Sequence, residues 1–379
     1  MKSKSTFLYL VALVFAAYSC SPKGDGTVST VEVEGHEMFV FSYDALNSRV
    51  AIVPLSNLVE SVDMVQLESR DDAYFNPKFT TVTEKYIGVQ DYRYEPFKLF
   101  DRSGKFLCKV GSIGGGPGEY ALPPYDVIID EKNELIYLAP TASDHIFVYN
   151  ISGEFVKIIT APHRLKKAKL FLTDNVLTVV NMPFKGDVLA MQFDVNSGQI
   201  LNELDAPTHL IVQNVEGEIF STKNTPGIFD VLNTSSDTLY HFDVQNNKFL
   251  PVFMLTHNLT EKPWKQYFQV NKDLIMTWME GKLHATDLKN KISSNINVVN
   301  DYYGNMPALL SVVHTRNGYW VHNIQPEQLM DDIEKRLAES SCTESDRQIL
   351  NTTLSTLKEG ANNVVFLGKL KQDVSAKLW

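Results

Sequence analysis

The sequence predicts an all-β fold, a six-bladed β-propeller with N-/C-terminal strand closure and a two-helix insertion in the last blade. A hairpin pattern of two apolar strands around an Asx-type turn recurs four times along the chain. The aromatic residue before each turn recurs after 44 to 49 residues, a period typical of blade-like repeats. Two further apolar runs precede each hairpin, which gives the four strands of a propeller blade. The aromatic residues are Phe100, Tyr149, Phe193 and Phe242.

The turn of each hairpin begins with an Asp or Asn and ends near a Gly or Asn. The first residues of the four turns are Asp101, Asn150, Asp194 and Asp243. Such side chains bond their own downstream backbone, and Gly or Asn tolerates a positive φ. We therefore interpret these acids as turn residues and not as a ring of metal ligands.

The apolar runs upstream of the hairpins assign the inner strands of the blades in order. In blades one to four they lie at 79–83 and 86–90, 125–130 and 135–139, 170–173 and 176–180, and 210–213 and 218–222. A degenerate fifth blade has its strands at 267–271, 274–279, 282–287 and 292–298, and the sixth begins at 308–313 and 319–324. An α/β fold would instead require helices between the strands.

The sixth blade is interrupted by two predicted helices, at 325–340 and 345–360, so the insertion covers about 326–360. Apolar residues within them recur at helical spacing. A lone strand follows at 363–371 and lacks an outer neighbour. The unassigned strand at 62–68 can supply it, and this pairing of the chain ends would close the ring and remove an exposed edge.

The N-terminus predicts export. Residues 1–19 read as a signal peptide, with Lys2 and Lys4 before a short apolar core. Cys20 follows at a site that resembles a bacterial lipobox, which predicts a lipid anchor; plain secretion with an incidental cysteine is the alternative. Residues 20–50 are then a lipid-anchored tether, and 51–373 form the propeller.

Charge excludes some partners. The formal net charge is −10, and removal of the signal peptide would make it −12. An acidic surface of this kind argues against nucleic acid and against anionic lipid headgroups, so contact with the membrane is expected only through the anchor.

Four segments resemble the six-bladed β-propeller lipoproteins of Bacteroidetes, which are NHL-like propellers. They are residues 55–69, 99–106, 111–120 and 363–371. The resemblance implies an exported, monomeric propeller in the periplasm or at the outer membrane. It implies little about chemistry, because most members of that family have no assigned activity.

No motif identifies a catalytic residue, a metal ligand or a cofactor. The sequence has no nucleophile elbow, no zinc-protease helix and no phosphate-binding P-loop, and its nine histidines are scattered. The glycine-rich segment 111–120 runs between strands, and we interpret it as a crossing between blades.

The propeller geometry predicts where a ligand binds. Connections between second and third strands share one face with the crossings between blades, and this loop-rich face also receives the helices and the segment 224–237. Its exposed aromatic and polar side chains suit a glycan, a peptide or an envelope protein. The candidate ligand-binding residues are Tyr92, Arg93, Tyr94, Glu119, Tyr120, Arg164, Lys185, Trp264, Tyr302 and Tyr303.

A binding module is the preferred function, and two alternatives stay open. An NHL-like lyase or hydrolase would use a site in the central channel, with two or more histidines near carboxylates. An envelope scaffold would dock a partner on the helical insertion, whose apolar stripe would then be exposed.

Overall fold

The computed structural model describes residues 24–213, 217–234, 236–261 and 263–373. The predicted signal peptide and Cys20 lie outside these residues. No helix in the described ranges combines the length and the apolar character needed to cross a membrane.

The described residues form six sheets, arranged as the blades of a propeller. Four strands precede the first blade: β1 (Val28–Val33), β2 (His36–Ser42), β3 (Val50–Pro54) and β4 (Asp63–Gln66). Blade one contains β5 (Pro77–Val82), β6 (Tyr86–Asp91), β7 (Phe97–Asp101) and β8 (Phe106–Val110). Blade two contains β9 (Pro124–Asp130), β10 (Leu135–Pro140), β11 (His145–Asn150) and β12 (Phe155–Thr160). Blade three contains β13 (Lys169–Thr173), β14 (Val176–Val180), β15 (Val188–Asp194) and β16 (Ile200–Asp205).

The remaining blades carry additions. Blade four contains β17 (Ile219–Thr222), β18 (Asp230–Asn233), β19 (Thr238–Asp243) and β20 (Lys248–Thr256). Blade five contains β21 (Lys265–Asn271), β22 (Leu274–Met279), β23 (Lys282–Asp287), β24 (Ile292–Asn300) and the short β25 (Met306–Pro307). Blade six contains β26 (Thr315–Arg316), β27 (Tyr319–Ile324), α1 (Pro326–Ala338), α2 (Glu344–Thr356) and β28 (Val364–Lys369). The first strands of blades two to five contact one another in order around the ring.

The predicted closure of the ring is confirmed. β4 pairs antiparallel with β28, with Val65 opposite Val365 and Met64 opposite Phe366. Blade six therefore takes its outer strand from the N-terminal part of the chain and its three inner strands from the C-terminal part. The edge that β28 would otherwise expose is covered.

The segment that the sequence analysis assigned to a tether differs in the structure. β1 and β2 form a hairpin, and β2 pairs parallel with β20 at the outer edge of blade four. β3 pairs parallel with β24 of blade five. The alternation of Val, Thr and Phe with charged residues in this segment is a strand pattern, and Phe41 is fully buried. The ordered body of the protein thus begins well before residue 51.

The first strands of two blades also differ from the prediction. In blade four the predicted run at Leu210 is a 3₁₀ turn (Thr208–Leu210) and loop, and β18 lies inside the segment predicted as a long loop. In blade six the first strand is only β26. Leu310 and Val312 are buried in the core without forming a strand, because burial and strand pairing are separate requirements that the apolar pattern alone does not distinguish.

The Asx turns have the predicted chemistry. Asp101 Oδ1 accepts hydrogen bonds from the backbone N–H groups of Ser103, at 2.9 Å, and Lys105, at 3.0 Å. The same pattern begins at Asn150, Asp194 and Asp243. These turns define the Asx-turn face, which lies opposite the loop-rich face.

Each turn also packs on the outer strand of the preceding blade. Gly104 lies against the carbonyl oxygen of Gln66, and Gly153 lies against that of Lys109. In the fourth turn, Asn247 donates its side-chain amide to Glu203 O at 3.1 Å. The turns therefore hold successive blades together, which leaves them little freedom for recognition.

Gly153→Ala should destabilise the protein more than Gly186→Ala. Both glycines have a positive φ, +81° and +85°, but a Cβ at Gly153 would clash with Lys109 O, whereas one at Gly186 would meet nothing within 4 Å. We expect Gly186→Ala to lower the free energy of unfolding by about 1 kcal/mol and Gly153→Ala by about 2–3 kcal/mol, measured by urea unfolding. Equal losses would show that the close contact between Gly153 and Lys109 O does not affect the cost of the substitution.

The helical insertion is part of the core. α1 and α2 join the second and third strands of blade six, as predicted, and Leu329, Ile333 and Leu350 are buried in the same cluster as residues of blades five and six. Arg336 donates to Gly304 O at 3.0 Å and pairs with Asp346 at 3.1 Å. The apolar stripe that the scaffold alternative requires to be exposed is therefore buried against the propeller.

Candidate functional site

The loop-rich face has the predicted composition, with one exception. The connections that begin at Asp91, Gly111, Ala161 and Asn181, and the helical insertion, all lie on it. The first part of the predicted segment 224–237 does not, because the residues between β17 and β18 join the first and second strands of blade four and so reach the opposite face. The sequence analysis placed it wrongly because β18 was not recognised.

The connection between β6 and β7 carries the most exposed aromatic residues of this face. Tyr92 and Tyr94 are 66% and 69% exposed. Between them, Arg93 pairs with the buried carboxylate of Asp91 at 3.0 Å, and the backbone N–H of Arg93 also donates to that carboxylate. Lys98 lies 3.7 Å from the same carboxylate. The buried acid thus fixes the base of the loop and leaves the two tyrosine rings in solvent.

The glycine-rich crossing is braced from within. Glu119 accepts hydrogen bonds from Gly116 N at 2.8 Å and Ser112 Oγ at 3.2 Å. Tyr120 is fully buried, and its hydroxyl donates to Val110 O at 2.8 Å and accepts from Phe97 N at 3.2 Å. Tyr120 is thus a core residue between blades one and two, which corrects its assignment as a ligand-binding residue. Burial of a satisfied hydroxyl also raises the pKa of Tyr120.

A cleft of about 570 Å³ opens on the loop-rich face beside this crossing. Its walls are the glycine segment with Glu119, the Thr141–His145 connection of blade two, and Arg164. The Arg164 guanidinium donates to Ala142 O at 2.7 Å, which holds the arginine along the rim. Two of the predicted residues, Glu119 and Arg164, therefore line one concave site.

The other predicted residues are spread around the disc. Trp264 is 51% exposed and packs edge-on against Trp278 at 5.1 Å, and Lys185 is exposed on the connection between β14 and β15. Tyr302 is half-buried and donates to Glu60 O at 3.2 Å, and Tyr303 packs against Phe366 at 4.9 Å. The last two pack against the core of blades five and six.

Two histidines meet in blade six. The rings of His314 and His322 lie 5.9 Å apart, and His314 Nδ1 is 2.8 Å from Ser311 Oγ. Burial, with the neighbouring His322, lowers the pKa of His314 to about 4. Throughout the described ranges, no three His, Cys, Asp or Glu side chains are grouped so as to hold a metal ion.

A third histidine gives the protein a dependence on pH. His284 is fully buried beside the rings of Phe41 and Tyr43, and burial lowers its pKa from 6.5 to about 4. The unfolded chain therefore binds a proton more readily than the folded chain, and stability falls as the pH drops below 6.5 and levels off near 4.

His284→Met should reduce the stability lost between pH 7 and pH 5 by about 2 kcal/mol in urea unfolding. The exposed His36→Met is the control; parallel pH profiles for all three proteins would contradict the assignment.

The central channel contains a charged cluster that the sequence analysis missed. Asp126 of β9 is fully buried, and its Oδ1 pairs with Arg316 of β26, which lies across the axis in blade six. Its Oδ2 accepts from Leu170 N at 2.8 Å and lies 3.9 Å from Lys223 Nζ. Lys169 of β13 completes the cluster, with its Nζ 4.3 Å from the centre of the Tyr125 ring.

These groups perturb one another strongly. Burial would raise the pKa of Asp126, but the charges of Arg316, Lys223 and Lys169 outweigh it and hold that pKa well below its usual range. Burial lowers the pKa of Lys169 and of Lys223 to about 8, partly opposed by the charge of Asp126. The signal available in the sequence was a charged residue within or directly beside the first strands β9, β13, β17 and β26.

The fold and these sites define a six-bladed β-propeller, closed by its own chain ends, with an elaborated face and a charged channel. The chain belongs to the family described as a domain of unknown function, DUF4934, which matches residues 39–369. No curated protein matches it.

Solved structures share the fold at low sequence identity. The "Putative exported protein (BF0058)" of Bacteroides fragilis superposes with a TM-score of 0.61 and 12% identity, over 88% of this chain and 99% of that one. A DUF4221 family member from Bacteroides vulgatus gives a TM-score of 0.48 and 11% identity, over 83% and 98%. The extracellular domain of BT4673 from B. thetaiotaomicron gives 0.41 and 13%, over 61% of this chain and 29% of that one.

Proposed function

We propose that this protein is an exported, lipid-anchored binding module of the cell envelope that recognises a glycan, a peptide or a partner protein through its loop-rich face. The structural neighbour named as exported and the lipobox-like Cys20 support export and anchoring. The exposed rings of Tyr92 and Tyr94 and the cleft between Glu119 and Arg164 support recognition, because aromatic faces beside hydrogen-bonding groups suit sugars and peptides.

The observation that carries the proposal is where the N-terminal segment attaches to the disc. Gly24 lies against Lys291, in the hairpin turn of blade five, and Thr27 Oγ1 accepts from Ser293 N at 2.7 Å. That turn belongs to the Asx-turn face. The chain from Cys20 to Thr27 can span at most about 25 Å, so an anchor at Cys20 would hold the disc near the membrane by its plain side. The loop-rich face would then point away from the lipid, toward ligands.

The anchor is tested by Cys20→Ser in cells. We expect the wild-type protein in the membrane fraction and the variant in the soluble fraction, since several acyl chains are needed for a stable hold. Mass spectrometry of the N-terminal peptide should show an acylated Cys20. A wild-type protein that is released without detergent would contradict the anchor and leave the binding proposal standing.

The recognition face is tested with the soluble chain from residue 24 on an array of bacterial glycans and envelope peptides. Tyr92→Ala/Tyr94→Ala and Arg164→Ala should each weaken capture at least tenfold, as expected for aromatic and arginine anchors. Asn246→Ala, on the Asx-turn face, is the control. Equal binding by all variants would contradict the assigned face, and stoichiometric metal in the purified protein would favour the enzyme alternative.

A further inference from the structure

The channel cluster carries more positive than negative charge. Arg316, Lys223 and Lys169 surround one carboxylate, Asp126, and both oxygens of that carboxylate are already engaged. A second carboxylate, Glu218, also acts on Lys169, but it is paired with Lys167 at 2.6 Å. Within the part of the chain that the structure describes, no carboxylate oxygen lies within 4 Å of Lys169 Nζ. Its nearest aromatic contact is the Tyr125 ring, whose hydroxyl is itself bonded to Glu218.

Protein groups reduce this imbalance without removing it. Arg316 lies over the ring of Phe79 at 4.7 Å, and Lys223 lies 5.7 Å from the centre of the Phe229 ring. Such cation–π contacts are favourable but add no net negative charge. A buried excess of cations is unfavourable unless a counter-charge is present. The folded protein therefore favours an anion at this position.

Solvent can reach the cluster from one side. Lys169 is 9% exposed, and the side chains of Arg316 and Lys223 are 11% and 12% exposed. At the Asx-turn end, the side chain of Asn224 links blade four to blades five and six by donating to Gln269 O at 2.8 Å and Thr315 O at 3.3 Å. Lys169 begins the first strand of its blade, at the end that faces the loop-rich side. Lys169 is therefore nearer to the loop-rich opening of the channel than to its Asx-turn end.

We propose that the channel binds a small oxyanion, a phosphate, sulfate or carboxylate group, between Lys169, Lys223 and Arg316. Two ammonium groups and a guanidinium supply donors from three blades, which suits a group with several oxygens more than a monoatomic ion. A free ion and the acidic group of a sugar both supply such an oxyanion. This anion site is independent of the proposed function: it can bind an oxyanion whether or not the loop-rich face recognises a glycan, a peptide or a partner protein.

Isothermal titration calorimetry with inorganic phosphate, sulfate and glucuronate, in chloride buffer at constant ionic strength and pH 7, tests the site. At least one of these probes should bind with one-to-one stoichiometry. Preference for glucuronate would indicate an acidic sugar, and preference for phosphate or sulfate a free ion. Lys169→Met and Lys223→Met should each weaken binding at least tenfold, while Lys185→Met, an exposed lysine on the same face, should not.

Both channel variants remove a cation from a crowded positive cluster, so they should remain folded, and circular dichroism checks this.

Binding should also weaken above pH 8 as Lys169 and Lys223 lose their protons. The groups that face them are Tyr125, Asp126, Glu218 and Arg316. Burial raises the pKa of Tyr125, and the pKa values of Asp126 and Glu218 are lowered. Lys169 and Lys223 are therefore the groups of this cluster that change charge near pH 8. Failure of all three probes to bind the wild type, or equal weakening by Lys185→Met, would overturn the proposal.

Discussion

Asp126→Ala is expected to lower the free energy of unfolding by about 3–5 kcal/mol. The substitution removes the one carboxylate between Arg316, Lys223 and Lys169 and leaves three buried cations facing one another. The buried acid also accepts the backbone N–H of Leu170, which would lose its acceptor at the start of blade three. Urea unfolding at pH 7 measures the loss.

The matched control is Glu84→Ala, which breaks the exposed pair with Lys369 at 2.9 Å. Exposed pairs contribute about 0–1 kcal/mol, so this variant should unfold almost as the wild type does. Adding Arg316→Met to Asp126→Ala should recover part of the loss, because the repulsion decreases. If Asp126→Ala costs no more than Glu84→Ala, the cluster is not a structural element of the channel.

The same variant connects stability with the proposed anion site. Without the carboxylate, an oxyanion would be the main counter-charge of the cluster. Phosphate or sulfate should therefore stabilise Asp126→Ala more than the wild type, by mass action on the folded state. Equal stabilisation of the two proteins would separate the role of Asp126 in folding from any role in anion binding.

The repeat could be predicted because each blade repeats the same local requirements. A hairpin needs an Asx turn and alternating apolar residues, and these are local in sequence, as at Asp101 and Asn150. The closure by β4 was also predictable, since β28 lacked an outer neighbour and only one unassigned strand remained. The outer hairpin β1–β2 was not predictable, because blade four already has four strands. The repeat of four strands per blade does not require a further hairpin there.

The candidate site was less predictable for a physical reason. Loop residues such as Tyr92 and Tyr94 can be placed on a face from strand order alone, but the burial of Tyr120 depends on the packing of two blades. The pairing of Asp126 with Arg316 joins positions 190 residues apart across the axis. A charged residue on a first strand faces the channel only when the six blades form the ring. The sequence alone therefore did not mark Asp126 or Arg316 as channel residues.

A chain that begins at residue 68 is expected to lose the folded ring. It lacks β4, so β28 would expose its edge, and it lacks Leu55, Leu58 and Val59, which are fully buried in the core of blades five and six. Unpaired edges and lost core area both favour aggregation over closure.

The control begins at residue 44 and lacks only the outer hairpin β1–β2; it should stay monomeric and folded, with reduced stability because Phe41 is lost. Size-exclusion chromatography and far-ultraviolet circular dichroism distinguish the two chains, and a peptide of residues 50–67 added during refolding should restore the shorter one. Cooperative unfolding of the shorter chain at the same urea concentration as the control would show that the ring does not depend on its N-terminal strand.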